Sequence, residues 1–334
     1  MRFGRVAVAS SVLGLSLAVL GSAVLGSAVL CSAALAQSYP ARPIRLIIPY
    51  SPGGGNDVIA RPIAAKLAER LGQPVIVENK PGAQAIIGVE YVAKAAPDGY
   101  TLLVAPSGPM TINPAIYRQL GYAPLRDFSP VSLMGEFPLV LAVAPKLGVG
   151  SVNELIGYLK AQPLKANYSA SASPFQLAAE LFSQRVGVGL LHIPFKGSGD
   201  SVNAVASGEV TMTLSDAGPI AGAVQGGLLK ALAVTSSARH PAFPGIPTLM
   251  EAGYADLEIT LFSGVVAPAG TPPEIIKRLA EEIAGIVVLP EIRDRLALVG
   301  ITAVSSTPEA YAKRIERDIA RWTAVAKAAN ITAD

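Results

Sequence analysis

Hydrophobic positions along this chain follow three successive patterns. Residues 6–36 carry no charge at all. From residue 44 onward, short apolar runs alternate with stripes of helical period. Ile44-Arg45-Leu46-Ile47-Ile48 is bounded by prolines and predicts a buried strand, and Ile59, Ile63 and Leu67 then recur at helical spacing. Val75-Ile76-Val77 and Thr101-Leu102-Leu103-Val104 predict two more strands, and residues 137–144 a longer one. Ser151-Val152-Asn153-Glu154 is a capping box opening a helix with Leu155, Ile156 and Leu159 on one face. Further strands are expected over 190–193, 210–214 and 231–235. Near the end long helices take over. Thr271-Pro272-Pro273-Glu274 predicts a helix capped by Thr271, and another starts near Thr307-Pro308 with Tyr311, Ile315, Ile319 and Trp322 on its buried stripe.

Strand alternating with helix over short connections predicts an α/β protein with parallel sheets covered on both faces. Two extended apolar segments, 137–144 and 257–268, bracket the middle of the chain. The economical architecture is two α/β lobes joined by these two crossover strands, a two-lobed binding-protein fold of the type II kind with a ligand cleft. Lobe 1 combines residues 38–141 and 263–334, lobe 2 is 142–262, and hinge closure around a ligand is the expected motion. Pro62 cannot donate to the carbonyl of Val58, so a kink or an irregular first turn is expected in the first helix.

The opening run follows Arg2 and Arg5 and ends Ala34-Leu35-Ala36 before Gln37, the small-x-small pattern of signal peptidase cleavage. Residues 1–36 therefore read as a secretory signal peptide. A retained membrane anchor is the rival reading, because the run is long enough to span a bilayer. A lipoprotein would need a small residue where Leu30 precedes Cys31.

Of the 334 residues, 27 are basic and 24 acidic, with two histidines and one cysteine. This near-neutral balance without a basic stripe gives no electrostatic reason to bind nucleic acid. One cysteine excludes a disulfide framework and a cysteine-based metal site, and two histidines leave little for a histidine-rich one. No cofactor and no metal are expected.

The sharpest local chemistry is Tyr50-Ser51-Pro52-Gly53-Gly54-Gly55-Asn56-Asp57, between the first strand and the first helix. Three glycines expose backbone N–H groups and the helix N-terminus adds partial positive charge, which suits a carboxylate. The same residues also read as a tight turn whose Asn56 or Asp57 only caps the helix. Neither a dinucleotide fingerprint nor a Walker loop fits the spacing. Loops after strands at 105–111, 169–174 and 194–200 fall where open α/β sheets bind ligands. Asp216 either receives a ligand amine or caps the helix at Gly218-Pro219. One helix terminus contributes about 0.3–2 kcal/mol, whereas micromolar binding needs about 8 kcal/mol. Both lobes must therefore contact the ligand.

From Tyr39 to the last helix the chain resembles the tripartite tricarboxylate transporter receptors, the Bug family. The motifs are Tyr39-Pro40-Ala41-Arg42-Pro43-Ile44, Pro52-Gly53-Gly54 with Asp57, Glu78-Asn79-Lys80-Pro81-Gly82-Ala83, Ala96-Pro97-Asp98-Gly99-Tyr100-Thr101-Leu102, His192-Ile193-Pro194-Phe195-Lys196-Gly197, Ala231-Leu232-Ala233-Val234-Thr235 and Ala267-Pro268-Ala269-Gly270-Thr271-Pro272. The resemblance implies a monomeric periplasmic receptor without catalysis for a di- or tricarboxylate, an acidic amino acid or an aromatic acid. Its partners would be inner-membrane transporter subunits. By position it implies ligand contacts from Tyr50, Gly54, Gly55, Asn56 and Ser107 in lobe 1 and from Ser171, Ser173 and Asp216 in lobe 2. The same closed state would also serve an orphan receptor signalling to a sensor. A periplasmic hydrolase would have only His192 near Asp200 and the loop serines to work with.

Overall fold

The glycine-free apolar run Ile44–Ile48 forms strand β1, and helix α1 (Gly55–Leu71) follows it directly. The computed structural model describes residues 39–333 apart from Lys196, so the expected signal peptide lies outside the described residues. The body of the protein begins at Arg42. After α1 come β2 (Val75–Asn79), α2 (Ile86–Ala93) and β3 (Thr101–Pro106), then a π-type turn over Gly108–Ile112. Strand β4 (Phe128–Val143) is followed by α3 (Val152–Ala161), β5 (Asn167–Ala170), α4 (Ser173–Val186) and β6 (Leu191–Pro194). Helix α5 (Ser198–Ser207), β7 (Met212–Asp216), α6 (Ala217–Gln225) and β8 (Lys230–Val234) complete the middle of the chain. Strand β9 (Thr260–Pro268), helices α7 (Pro273–Val287) and α8 (Pro290–Ala297), the short β10 (Thr302–Ala303) and helix α9 (Pro308–Ala328) end it.

The fold is a two-lobed α/β binding-protein fold, but its sheets are mixed rather than parallel. The strand order is β2-β1-β3-β9-β4-β7-β5-β6, with β8 and β10 also on β4. Pairs within each βαβ unit are parallel: β1 with β2 and β3, and β5 with β6 and β7. Strand β9 runs antiparallel to β3 and β4, and β4 antiparallel to β7 and β8. The expectation of purely parallel sheets failed because β4 and β9 arrive from the other half of the chain and have no crossover helix to set their direction. Strand β4 is also longer than its apolar pattern suggested. Its first half pairs β9 from Phe128 to Pro138 across two register shifts, and its second half pairs β7 and β8 from Leu139 onward.

Among the described residues, two of the cores packed on the shared strand are joined by helix α9. One holds Ile47, Leu103, Ala105, Phe262 and Val266 with Tyr311 and Ile315 of α9. The other holds Leu139, Leu141, Leu155, Tyr168 and Phe182 with Trp322, Val325 and Ala326 of the same helix. Helix α9 thus buries its N-terminal turns in one core and its C-terminal turns in the other. Between them Arg314 donates to Glu136 of β4 (2.9 Å), to the carbonyl and hydroxyl of Thr260 of β9 (2.9 Å each) and to Asp318 (2.6 Å).

Local expectations met the structure unevenly. The Ser151 hydroxyl accepts from Glu154 N at 3.2 Å, and Thr307 accepts from Ala310 N at 3.1 Å. The reciprocal Glu154 bond goes to the N–H of Gly150 rather than to that of Ser151. Thr271 does not cap α7. Its hydroxyl donates to Pro268 O at 2.8 Å, and Pro272 stands at the N-cap, where its fixed φ of −51° already suits the approach. Helix α1 continues from Gly55 to Leu71 with Pro62 inside it, so the proline does not end the helix.

Gly264, central in β9, leaves no room for a side chain: a Cβ there would lie 2.7 Å from Ser132 O and 2.7 Å from the Tyr311 ring. Gly264→Ala is expected to destabilise the protein by about 1–3 kcal/mol through overpacking. Chemical denaturation should show a lower midpoint with an unchanged slope.

Candidate functional site

The glycine loop is shaped by a carboxylate behind it. Gly53 adopts φ +84°, which favours glycine, and Gly54 stands at the N-cap of α1. Asp57, buried in the first turn of α1, accepts from Gly53 N at 3.1 Å, from Arg61 Nε and Nη2 at 2.8 Å each, and from Asn79 Nδ2 at 3.0 Å. Asn79 also donates to Tyr50 O at 3.0 Å. The Arg61 guanidinium, with smaller help from Asn79 and Gly53, holds the Asp57 carboxyl down to about 2. Asp57 is thus occupied by the scaffold, and it explains why the Pro-Gly-Gly and Glu-Asn-Lys-Pro motifs occur together: one ties the other in place.

In front of the loop lies a cavity of about 530 Å³. Tyr50, Gly53, Gly55, Asn56, Ser107 and Gly108 line one side, and Ala172, Pro174, Phe175, Asp216, Gly218 and Pro219 the other. These residues sit at the first turns of α1, of the π-type turn, of α4 and of α6. Four helical starts therefore face one space, each contributing partial positive charge, although at α4 Pro174 has no N–H to offer and Phe175 N already donates to Ala172 O at 3.1 Å. Among the described residues no lysine, arginine or histidine lines it. The remaining wall is apolar: Phe137 of β4, Leu261 and Phe262 of β9, and Val299 and Ile301 before β10.

Of the residues singled out in the sequence, Tyr50, Gly55, Asn56, Ser107 and Asp216 line this cavity, whereas Gly54, Ser171 and Ser173 do not. Gly54 turns the chain into α1. The Ser171 hydroxyl lies 3.2 Å from Ser198 Oγ, and Ser173 begins α4 between the lining residues Ala172 and Pro174. Ser107 Oγ accepts from Phe262 N at 3.4 Å. The Tyr50 hydroxyl occupies the space that a side chain at 108 would need, since a Cβ on Gly108 would lie 2.7 Å from it. Burial pushes the Tyr50 phenol up to about 12. Asn56 Oδ1 is buried without a hydrogen-bond partner.

Asp216 stands at the N-cap of α6, yet its side chain makes no capping bond to that helix and instead accepts from Ser198 Oγ at 3.0 Å. The capping reading is therefore right about its position and wrong about its chemistry. Burial in the cavity wall pushes its carboxyl above the usual range. His192 is not in the cavity. It stacks on Tyr168 with ring centroids 5.1 Å apart, and its Nε2 is buried without a partner. His240 is buried elsewhere, against Gly300 O at 3.2 Å. The aromatic wall was not found in the sequence, although Phe137, Leu261 and Phe262 fall within the two segments expected to cross between lobes.

A raised carboxyl means that the folded state favours the neutral form. It contributes stability in full below about pH 3.8, the ordinary aspartate value, and loses it as pH rises through the folded value. Asp216→Asn is therefore expected to raise the apo melting temperature at pH 7, with the gain shrinking toward zero near pH 4. Thermal melts at the two pH values check this.

Comparison with known proteins agrees with the geometry. The family model described as tripartite tricarboxylate transporter family receptor matches residues 59–331. Protein BugT of Bordetella pertussis is 38% identical over 295 residues, 87% of this chain and 90% of BugT. The structure of R. palustris Rpa4515 with adipate superimposes with a TM-score of 0.76 at 35% identity, covering 88% of this chain and 99% of that one. MatC from Rhodopseudomonas palustris with bound malate gives 0.71 at 29% identity, covering 86% and 99%. The structure of the periplasmic binding protein BugD gives 0.72 at 29% identity, covering 89% and 100%. The chain belongs to the tripartite tricarboxylate transporter receptor family of solute-binding proteins.

Proposed function

We propose that this protein is a periplasmic receptor that closes two lobes on a small carboxylate and hands it to an inner-membrane transporter of the tripartite tricarboxylate type. The observation that carries this reading is the meeting of four helical N-termini on one largely apolar cavity lined, among the described residues, by no basic side chain. Backbone N–H groups at helix starts take an anion without a fixed cation. Adipate and malate, the molecules named with two relatives, are both carboxylates. The lobes are residues 38–141 with 263–334 and residues 142–262, and residues 1–36 direct export and are removed. Closure bends the β4–β9 pair near Glu136–Pro138, where β4 passes from one partner set to the other. The protein acts by binding, with no turnover.

A thermal-shift panel of small mono-, di- and tricarboxylates tests this. A true ligand at about a hundred times its Kd adds roughly 2.7 kcal/mol, which corresponds to a rise of about 5–10 °C for a domain of this size. A panel that leaves the melting temperature unmoved, while a neutral sugar or a metal raises it, would refute the reading. Gly108→Ala displaces the Tyr50 hydroxyl from the cavity wall and is expected to weaken the identified carboxylate about tenfold, or ~1.4 kcal/mol, by calorimetry.

A further inference from the structure

The carboxylate reading gives one end of the ligand to the starts of α1, the π-type turn and α4, and it leaves open the end that meets α6, whose N-cap is Asp216. Asp216 bears on that end. It is the one acidic side chain among the described residues lining the cavity, and no described basic side chain lines the cavity to pair a second ligand carboxylate. The Ser198 hydroxyl donates to Asp216 Oδ2 at 3.0 Å, so its single proton is used. The Ser171 hydroxyl, 3.2 Å from Ser198 Oγ, must then donate to Ser198. The chain Ser171→Ser198→Asp216 is polarised to present Asp216 as an acceptor. Capping does not account for the side chain, because it makes no bond to α6. On the opposite side of the cavity Asn56 Oδ1 is a second acceptor, buried without a partner. Between the two sides the walls are the rings of Phe137 and Phe175.

We propose that Asp216 is the specificity-determining residue of this cavity, selecting a monocarboxylate with an apolar body and a hydrogen-bond donor, hydroxyl or ammonium, at its far end. This rests on the carboxylate-receptor reading above. A dicarboxylate is disfavoured, because its second carboxylate meets a like charge in a poorly solvated space and one of the two must take up a proton. A donor satisfies the acceptor and keeps its charge useful.

The test is calorimetric binding of four probes on one six-carbon skeleton: hexanoate, 6-hydroxyhexanoate, 6-aminohexanoate and adipate. The wild-type protein is expected to bind at least one donor-bearing probe about tenfold tighter than both hexanoate and adipate, the scale of one charge-assisted hydrogen bond. Asp216→Asn should reduce that preference to within about twofold and improve adipate by about tenfold, because the like charge is gone. Ser198→Ala, which removes the polarising donor but keeps the carboxylate, should retain the rejection of adipate. Melting temperatures confirm that both variants are folded. Adipate bound by the wild type as tightly as the donor-bearing probes, or an unchanged ranking in Asp216→Asn, overturns the assignment and leaves the carboxylate receptor standing. Failure of all four probes with wild type and variant alike overturns the assignment, and the carboxylate reading falls with it only if the wider carboxylate panel also leaves the melting temperature unmoved.

Discussion

Strand β4 is the constraint on which the remaining structure depends. Its sixteen residues serve two partner sets in succession, β9 over the first part and β7 with β8 over the second. The two halves therefore share backbone hydrogen bonds rather than a flexible tether, and any relative motion must be taken up by bending paired strands. The handover falls at Glu136-Phe137-Pro138, where Pro138 has no N–H to give and two register shifts already lie upstream. Phe137 from that point and Leu261 and Phe262 from the facing strand form the wall of the cavity. In the proposed reading a ligand lying there touches the residues at which the lobes would bend, which couples binding to closure by position.

The cavity holds an anion, in the proposed reading, with dipoles whose placement is fixed from behind. Each helical start is worth about 0.3–1 kcal/mol when exposed and up to ~2 kcal/mol when partly buried, so the starts together approach the roughly 8 kcal/mol of micromolar affinity only if water is excluded and the donors do not have to reorganise. The Asp57–Arg61–Asn79 cluster answers the second requirement by holding the Gly53–Asn56 backbone in one arrangement. The apolar walls answer the first. Arg61 itself is half exposed and spends its charge on Asp57, so its role is in the scaffold.

Much of this was legible in the sequence, because local rules and local structure agreed. The capping serine at 151 and threonine at 307, the triglycine loop and the alternation of strand with helix all rest on neighbours a few residues apart. The misses are long-range. Nothing local says that 260–268 runs antiparallel to β3, since strand direction is decided by where the chain returns from. The aromatic wall needed the same knowledge. Asp57 reads as a helix cap until Asn79, twenty-two residues away, is seen to share it. Asp216 was visible as a helix-start acid, but its partner Ser198 comes from another βα unit.

Helix α9 shows why the two cores cannot be treated as independent. Twenty-one helical residues span about 30 Å, and the buried stripe Tyr311, Ile315, Trp322 passes from one core to the other along that length. At one end the Tyr311 hydroxyl donates to Ala105 O at 2.8 Å, two residues before the cavity residue Ser107. In the middle Arg314 grips both crossing strands at Glu136 and Thr260, beside the bend. If the lobes close as proposed, a helix packed in both cores and bonded to both crossing strands resists translation of one half past the other.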